Sequence, residues 1–301
     1  MSAARTGLGC AALGNLYSPV TEADARATVD AAWDRGIRFF DTAPLYGHGL
    51  SESRLGRALA GRPRDELVLC SKVGRVLVPA DDPGDTIFAD VPAVRPEFDL
   101  SAAGVEASLT ASLDRLGVDR LDVVHLHDPD DHLEQAVAET YPALDGWKDK
   151  GVVGAIGLGT NHPDTASFVL DHVVVDWLLL AGRYTLLDQS GLDVLDRCAA
   201  LGVRVIAAGV FNSGLLADPV DGAHYFYETA PADVVARAQR LAAVCAEFDV
   251  PLAAAAVQFP LRHPAVSVVL PGARSADEIT TDLDLLDLPI PDDLWPALEA
   301  A

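Results

Sequence analysis

The strongest constraint on this chain is a rhythm. Eight short apolar runs alternate with amphipathic segments along nearly the whole sequence. The runs are 7–13, 36–43, 67–73, 121–127, 152–159, 175–181, 203–209 and 266–272. The segments between them, 21–35, 51–60, 101–116, 132–150, 162–171, 188–201, 231–259 and 275–284, predict helices, the seventh broken at Pro251. Helix ends are signed by Thr21 with Asp24 and by Ser101 at starts, and by Gly36, Gly117, Gly151 and Gly202 at stops. Strands apolar on both faces need cover on both faces, which parallel sheets with crossover helices supply. Eight such units predict a closed (β/α)8 TIM barrel in one domain spanning 1–301, with a doubly wound sheet as the alternative. Only 74–100, "GRVLVPADDPGDTIFADVPAVRPEFDL", breaks the rhythm. It is rich in Pro and Asp, and a loop of that length predicts a lid.

Charge narrows the ligands. The formal balance is 22 − 45 = −23, which repels phosphate backbones and anionic membranes. No apolar run approaches the roughly 20 residues of a membrane span. The start, "MSAARTGLGC", lacks the pattern of a secretory signal. Four cysteines sit in apolar segments without a CxxC pair and read as reduced, buried thiols. The expectation is a cytoplasmic protein, monomer or small homo-oligomer, with a small-molecule partner and neither nucleic acid nor membrane.

In a barrel the chemistry collects where the strands end. "FFDTAPLYG" (39–47) places Asp41 at one strand end and Tyr46 in the following turn. Lys72 ends the third run, and it is one of only three lysines, so its apolar setting stands out. His127 ends the fourth. By alternation Lys72 shares a face with Cys70, and His127 with His125 and Val123. An ammonium stabilises a nearby phenolate. A carboxylate beside that ammonium keeps it charged. A histidine can orient a substrate oxygen or relay a proton. Together these are the parts of a proton-transfer site acting on a carbonyl or carbinol. His125, His127 and Asp128 also raise a metal-dependent hydrolase as a rival, but no second ligand cluster supports a metal site.

With these residues in place, the chain resembles the aldo-keto reductases over essentially its whole length. "GIRFFDTAPLYGHGLSESRLGRAL" (36–59), "SKVG" and "RLDVVHLHDPD" are similar to the family segments carrying its Asp, Tyr, Lys and His. The resemblance implies a nicotinamide dinucleotide at the barrel mouth. Tyr46 would be the acid/base, tuned by Asp41 and Lys72, with His127 rather than the deeper His125 steering the substrate oxygen. It further implies cofactor contacts from Gly14, from Asn161 in "GLGTN", and from Gly209, Phe211, Asn212, Ser213 and Gly214 in "GVFNSGLLA". Gly272, Arg274, Ser275, Glu278 and Asp282 in "PGARSADEITTD" would hold the far end. Members using NADPH carry basic residues in that last segment. Here only Arg274 is basic, and Glu278 and Asp282 oppose a phosphate, so NAD is favoured over NADP. An aromatic residue that often stacks on the nicotinamide is replaced by Ala208.

"RTGLGCAALGNLY", "LLLAGRYTLLDQ" and "LAAAAVQFPLRHPAV" resemble a narrower branch of L-fucose, D-threo-aldose, L-galactose and pyridoxal 4-dehydrogenases. That implies oxidation of a ring hemiacetal to a lactone, with Tyr46 as general base. Tyr17 and Phe88 are the favoured pocket residues, ahead of Asn15, Tyr225 and Tyr227; Trp33 reads as core. A general NADPH-dependent aldehyde reductase and a non-catalytic cofactor-binding regulator are the rivals.

Overall fold

A computed structural model describes residues 5–226 and 228–301. The eight barrel strands are β1 (Gly7–Gly9), β2 (Phe39–Asp41), β3 (Val68–Val73), β4 (Leu121–His127), β5 (Val153–Thr160), β6 (Trp177–Ala181), β7 (Arg204–Ala208) and β8 (Val266–Leu270). All neighbours pair in parallel, in chain order. Parallel bridges Thr6 to Val269 and Gly9 to Gly272 bring β1 back to β8 and complete the barrel. Each predicted run thus contains a barrel strand. The first is cut short, because Ala12–Gly14 turns into a 3-10 helix ending on a left-handed Asn15.

Side chains split by strand alternation. Phe39, Cys70, Val123, Ala155, Trp177, Leu179, Ile206, Val268 and Leu270 fill the barrel. The opposite faces, including Phe40, Leu69, Val124, Ile156 and Val205, pack beneath the helices. Burying a side chain of this size is worth roughly 1.5–3 kcal/mol, so two cores, one inside the other, hold the strand ends rigid.

The predicted helices form, with instructive differences. Thr21 and Ser101 accept from the Asp24 and Gly104 N–H groups, as N-caps do. The 132–150 segment is helical but contains a π turn at Ala136–Thr140, where the Thr140 hydroxyl donates to the Leu100 carbonyl. The break at Pro251 separates Ala232–Glu247 from Leu252–Gln258. An added C-terminal helix, Leu294–Glu299, packs Leu294 and Trp295 onto the core. No single helix among the described residues is long and apolar enough to cross a membrane.

The predicted lid is more ordered than a loop. Arg75–Pro79 and Val94–Phe98 form an antiparallel hairpin. Its intervening chain is tied to the segment after β1: the Tyr17 N–H donates to the Ile87 carbonyl and the Ala89 N–H to the Asn15 carbonyl. Asn15 reinforces the tie through Nδ2 to the Ala89 carbonyl and accepts Arg54 at Oδ1.

Candidate active site

The turn after β2 carries Tyr46, and small polar groups fix it. Thr42 Oγ1 pairs with Ser51 Oγ at 2.8 Å, and Ser51 donates to the Cys10 carbonyl at 2.7 Å. Gly47 has φ +60°, and a Cβ there would lie 2.3 Å from the Gly14 carbonyl oxygen. Only paired glycines allow the β1 and β2 turns to approach so closely. Gly14 thus has a structural task in the turn. It packs against the Tyr46–Gly47 backbone and so positions the turn.

Asp41 and Lys72 are almost wholly buried. Lys72 Nζ donates to Asp41 Oδ1 at 2.5 Å and to the Thr42 carbonyl at 2.8 Å. It also lies 4.7 Å from the Tyr46 ring centroid. Burial alone would push the ammonium's pKa down, but Asp41 and then Tyr46 outweigh it, and the net direction is up. The lysine is therefore held charged beside the tyrosine. His127 meets the Tyr46 ring edge-on at 5.8 Å. Burial, with Arg75 and Lys72, pushes its pKa well below the usual value, so it is a neutral imidazole at physiological pH. A neutral ring has one N–H to donate. The four residues expected to act together are thus brought to one point.

Phe88 comes from the lid and stands 6.1 Å from the Tyr46 ring, centroid to centroid. Tyr17 lies farther out. Its ring stacks on His224 at 5.6 Å and its hydroxyl interacts with Ser213, so it bridges two loops at the mouth. Tyr225 packs edge-on against Phe226, and Tyr227 lies outside the described residues. Trp33 is only half-buried, with the Arg38 and Arg62 guanidiniums over its ring.

A groove of about 690 Å³ runs from Asp41 and Tyr46 to Asp277, Glu278, Thr281 and Asp282. Its floor is small: Gly9, Ala11, Ala181, Ala208 and Gly272. The 209–217 turn forms one wall, where Gly209, Asn212, Ser213 and Gly214 all have positive φ and Phe211 faces in. Ala208 leaves aliphatic floor at the position where the resemblance implies an aromatic residue in other members. Asn161, Gly182, Asn212 and Phe226 line a small recess at the edge. Asn212 Oδ1 is buried there without a donor, which a ligand amide would satisfy. Length, small-residue floor and orphaned acceptor all fit a dinucleotide.

The far end departs from expectation in detail. Ser275 is the N-cap of Ala276–Asp287, accepting from the Glu278 N–H at 3.1 Å. Glu278 in turn accepts from the Arg274 N–H at 2.9 Å, a reciprocal cap. The Arg274 guanidinium donates to Ser18. Arg274 and Ser275 thus each make a structural hydrogen bond at this end of the groove. Asp282 does line it, and burial together with Glu278 pushes its pKa up to about 7.

Sequence reading missed Arg75, Asp277 and Thr281. Arg75 donates to the His127 carbonyl at 3.0 Å and lies over the Phe98 ring. It follows Lys72 by three residues at a strand end, which was a usable signal. Asp277 and Thr281 share a helix face with Glu278 and Asp282 at i, i+4 spacing.

The aldo/keto reductase family model matches residues 5–301. The chain belongs to that family. This aldo/keto reductase is 43% identical to D-threo-aldose 1-dehydrogenase of a Pseudomonas species, across 98% of this chain and 93% of the relative. It is 40% identical to pyridoxal 4-dehydrogenase of Microbacterium luteolum, across 98% and 92%. Its fold superposes on a solved aldo-keto reductase of Bacillus halodurans in the holo form with a TM-score of 0.78, at 26% identity, over 98% of this chain and 91% of that one. The reductase is thus an oxidoreductase enzyme working with a nicotinamide cofactor.

Proposed function

We propose that this chain oxidises the ring hemiacetal carbon of an aldose, or of pyridoxal, to a lactone, with NAD as the oxidant. The observation that carries this reading is the buried Asp41–Lys72 pair set against Tyr46 at the end of the groove. The two relatives at 43% and 40% identity, named D-threo-aldose 1-dehydrogenase and pyridoxal 4-dehydrogenase, support the substrate class. NAD, when bound, accepts the hydride that leaves the hemiacetal carbon.

The chain's own residues do the rest. Tyr46 takes the hydroxyl proton, with Lys72 favouring the phenolate that can accept it. The neutral His127 donates to the substrate oxygen. Arg75 and Asp128 flank His127, their guanidinium and carboxylate 4.0 Å apart, and offer a donor and an acceptor to further sugar hydroxyls. Phe88 covers Tyr46 from the lid and excludes water. We read 1–301 as one catalytic domain, acting in the cytoplasm as a monomer or small homo-oligomer.

The preference for NAD rests on the far end of the groove. Asp277, Glu278 and Asp282 line it, and Arg274 is engaged by Ser18. Carboxylates accept ribose hydroxyls and repel a phosphate. Because Asp282 titrates near pH 7, it is neutral below that pH and a second anion beside Glu278 above it. Discrimination against NADP is therefore expected to grow between pH 6 and 8. Asp282→Asn should flatten that growth, read from the ratio of the two dissociation constants by fluorescence titration. An unchanged slope would separate Asp282 from the phosphate-sensing end.

The deciding assay mixes protein with NAD or NADP and L-fucose, L-galactose, D-arabinose, pyridoxal or a simple primary alcohol. Growth of reduced-nicotinamide absorbance with a sugar or pyridoxal, best with NAD, is the expected result. Silence on that panel, with NADPH-driven reduction of aldehydes, would mark a general reductase instead.

A further inference from the structure

Directly beneath the Lys72 ammonium the barrel interior holds a second polar group of residues. His125 lies two residues before His127 on β4, on the same inward face, and is fully buried. It is paired in register with Lys72 on one side and with Gly157 on the other. A Cβ at position 157 would stand 2.4 Å from His125 Nδ1, so glycine makes room for the ring. A hydrophobic side chain would fill such a layer without this arrangement, since its neighbours Cys70, Val123 and Ala155 are apolar or nearly so.

Neither His125 nitrogen makes a hydrogen bond of ordinary geometry, although the Leu158 carbonyl lies near the ring. Asp41 Oδ2, the oxygen that Lys72 does not take, is buried and equally without a partner. One polar atom each from Asp41, Cys70 and His125 lie within 4.8 Å of one another. Such a spacing exceeds a direct hydrogen bond, yet groups up to roughly 5 Å apart can share one water at ordinary lengths. A carboxylate oxygen, an imidazole N–H and a thiol make the three partners that a buried water usually has. A cation would have to sit beside the Lys72 ammonium, which the field there opposes.

We infer that His125 is a positioning residue: through one bridging water it donates to Asp41 Oδ2 and so sets how firmly Asp41 holds the proton-bearing Lys72 against Tyr46. This rests on the assignment of Tyr46 as the acid/base. Without that donation the Asp41 carboxylate becomes more basic. It draws the lysine's proton toward itself, the ammonium's field at Tyr46 weakens, and the phenolate becomes harder to form. His125 is itself pushed down to about 3, by burial first and then by Lys72, so its removal near neutral pH takes away a dipole and no charge. The other titratable groups facing the cluster are Cys10 on the β1 side, Cys70 on β3 with Asp122 acting on it from β4, and His127, Arg75 and Tyr46 above. β5 contributes only Gly157 and Gly159 at this level.

The test is the pH profile of kcat/KM for oxidation in wild type, His125→Leu and His125→Gln. In the Leu variant the rising limb is expected to move to higher pH by about half a unit or more, lowering turnover at pH 7 by roughly three- to tenfold. The cofactor dissociation constant should not change. The Gln variant keeps a side-chain N–H donor and should return the limb toward wild type. A limb that stays in place in His125→Leu, or moves equally in both variants, would overturn the inference. Tyr46→Phe run alongside keeps the two assignments apart: if the limb survives in that variant, the acid/base reading itself fails. Should the Leu variant not fold, a high-resolution crystal structure of the wild type decides. One water within hydrogen-bond reach of Asp41 Oδ2 and a His125 nitrogen is expected; a dry gap or a metal ion there would refute the bridge.

Discussion

Tyr46→Phe should lower kcat for oxidation by on the order of 10²- to 10⁴-fold while leaving the cofactor dissociation constant within about twofold. The substitution removes one oxygen and keeps the ring. The ring's packing against Phe88 and His127 therefore survives, and the turn stays fixed by Thr42, Ser51 and the Gly14–Gly47 contact. What disappears is the only phenol set against the Lys72 ammonium among the described residues. His127 cannot substitute as the base. Its burial and its cationic neighbours, Arg75 and Lys72, make it a very weak base, and its N–H is needed for the substrate oxygen. Steady-state kinetics with a sugar or pyridoxal, paired with a fluorescence titration of NAD, checks both halves. Near-normal turnover would remove Tyr46 from the acid/base role.

The barrel was legible because its evidence is distributed. Each strand is apolar on both faces, since one face meets the helices and the other fills the barrel, and eight such runs leave few alternatives. Asp41, Tyr46, Lys72 and His127 were legible for a related reason: polar residues at the ends of apolar runs are costly unless they meet. The lid hairpin was not. Its strands carry Pro79 and Pro96, and their residues are mostly half-exposed, so no clean alternation marks them. The chain between them is held by the distant Asn15–Tyr17 segment, which local pattern cannot show. The groove's far end was legible in composition but not in role. Nothing in the local pattern shows that the Arg274 guanidinium meets Ser18 or that Ser275 and Glu278 cap the helix together. His125 looked like a spare layer of core, and only the unpartnered atoms around it give it a task.

Lys72→Met should be the most damaging single change to the fold as well as to the chemistry. The lysine side chain is 1% exposed and its partner's 2%. Methionine approximates its length but leaves Asp41 buried without a counter-charge, a change that typically costs about 3–5 kcal/mol. Asp41 then relieves itself by taking up a proton. Its carboxyl is already pushed upward by burial, and Lys72 is the main influence holding it down. With the lysine gone its folded-state pKa rises further above the unfolded value. An acid whose folded pKa is raised loses stability as pH climbs from its unfolded pKa through its folded one, so the Lys72→Met variant should recover stability as pH falls through that window and lose it as pH rises. Wild type should show the same dependence only weakly, because Lys72 holds the Asp41 carboxyl down. Adding Asp41→Asn removes the titrating charge and should restore much of the lost Tm at pH 8, because replacing both ions of a buried pair costs far less than removing one. Activity should not return, since Tyr46 still lacks its ammonium. Thermal denaturation from pH 5 to 8, with kcat measured on the same samples, separates the two effects. A double variant that regains both stability and turnover would show that the pair serves the fold alone, and that Tyr46 works without it.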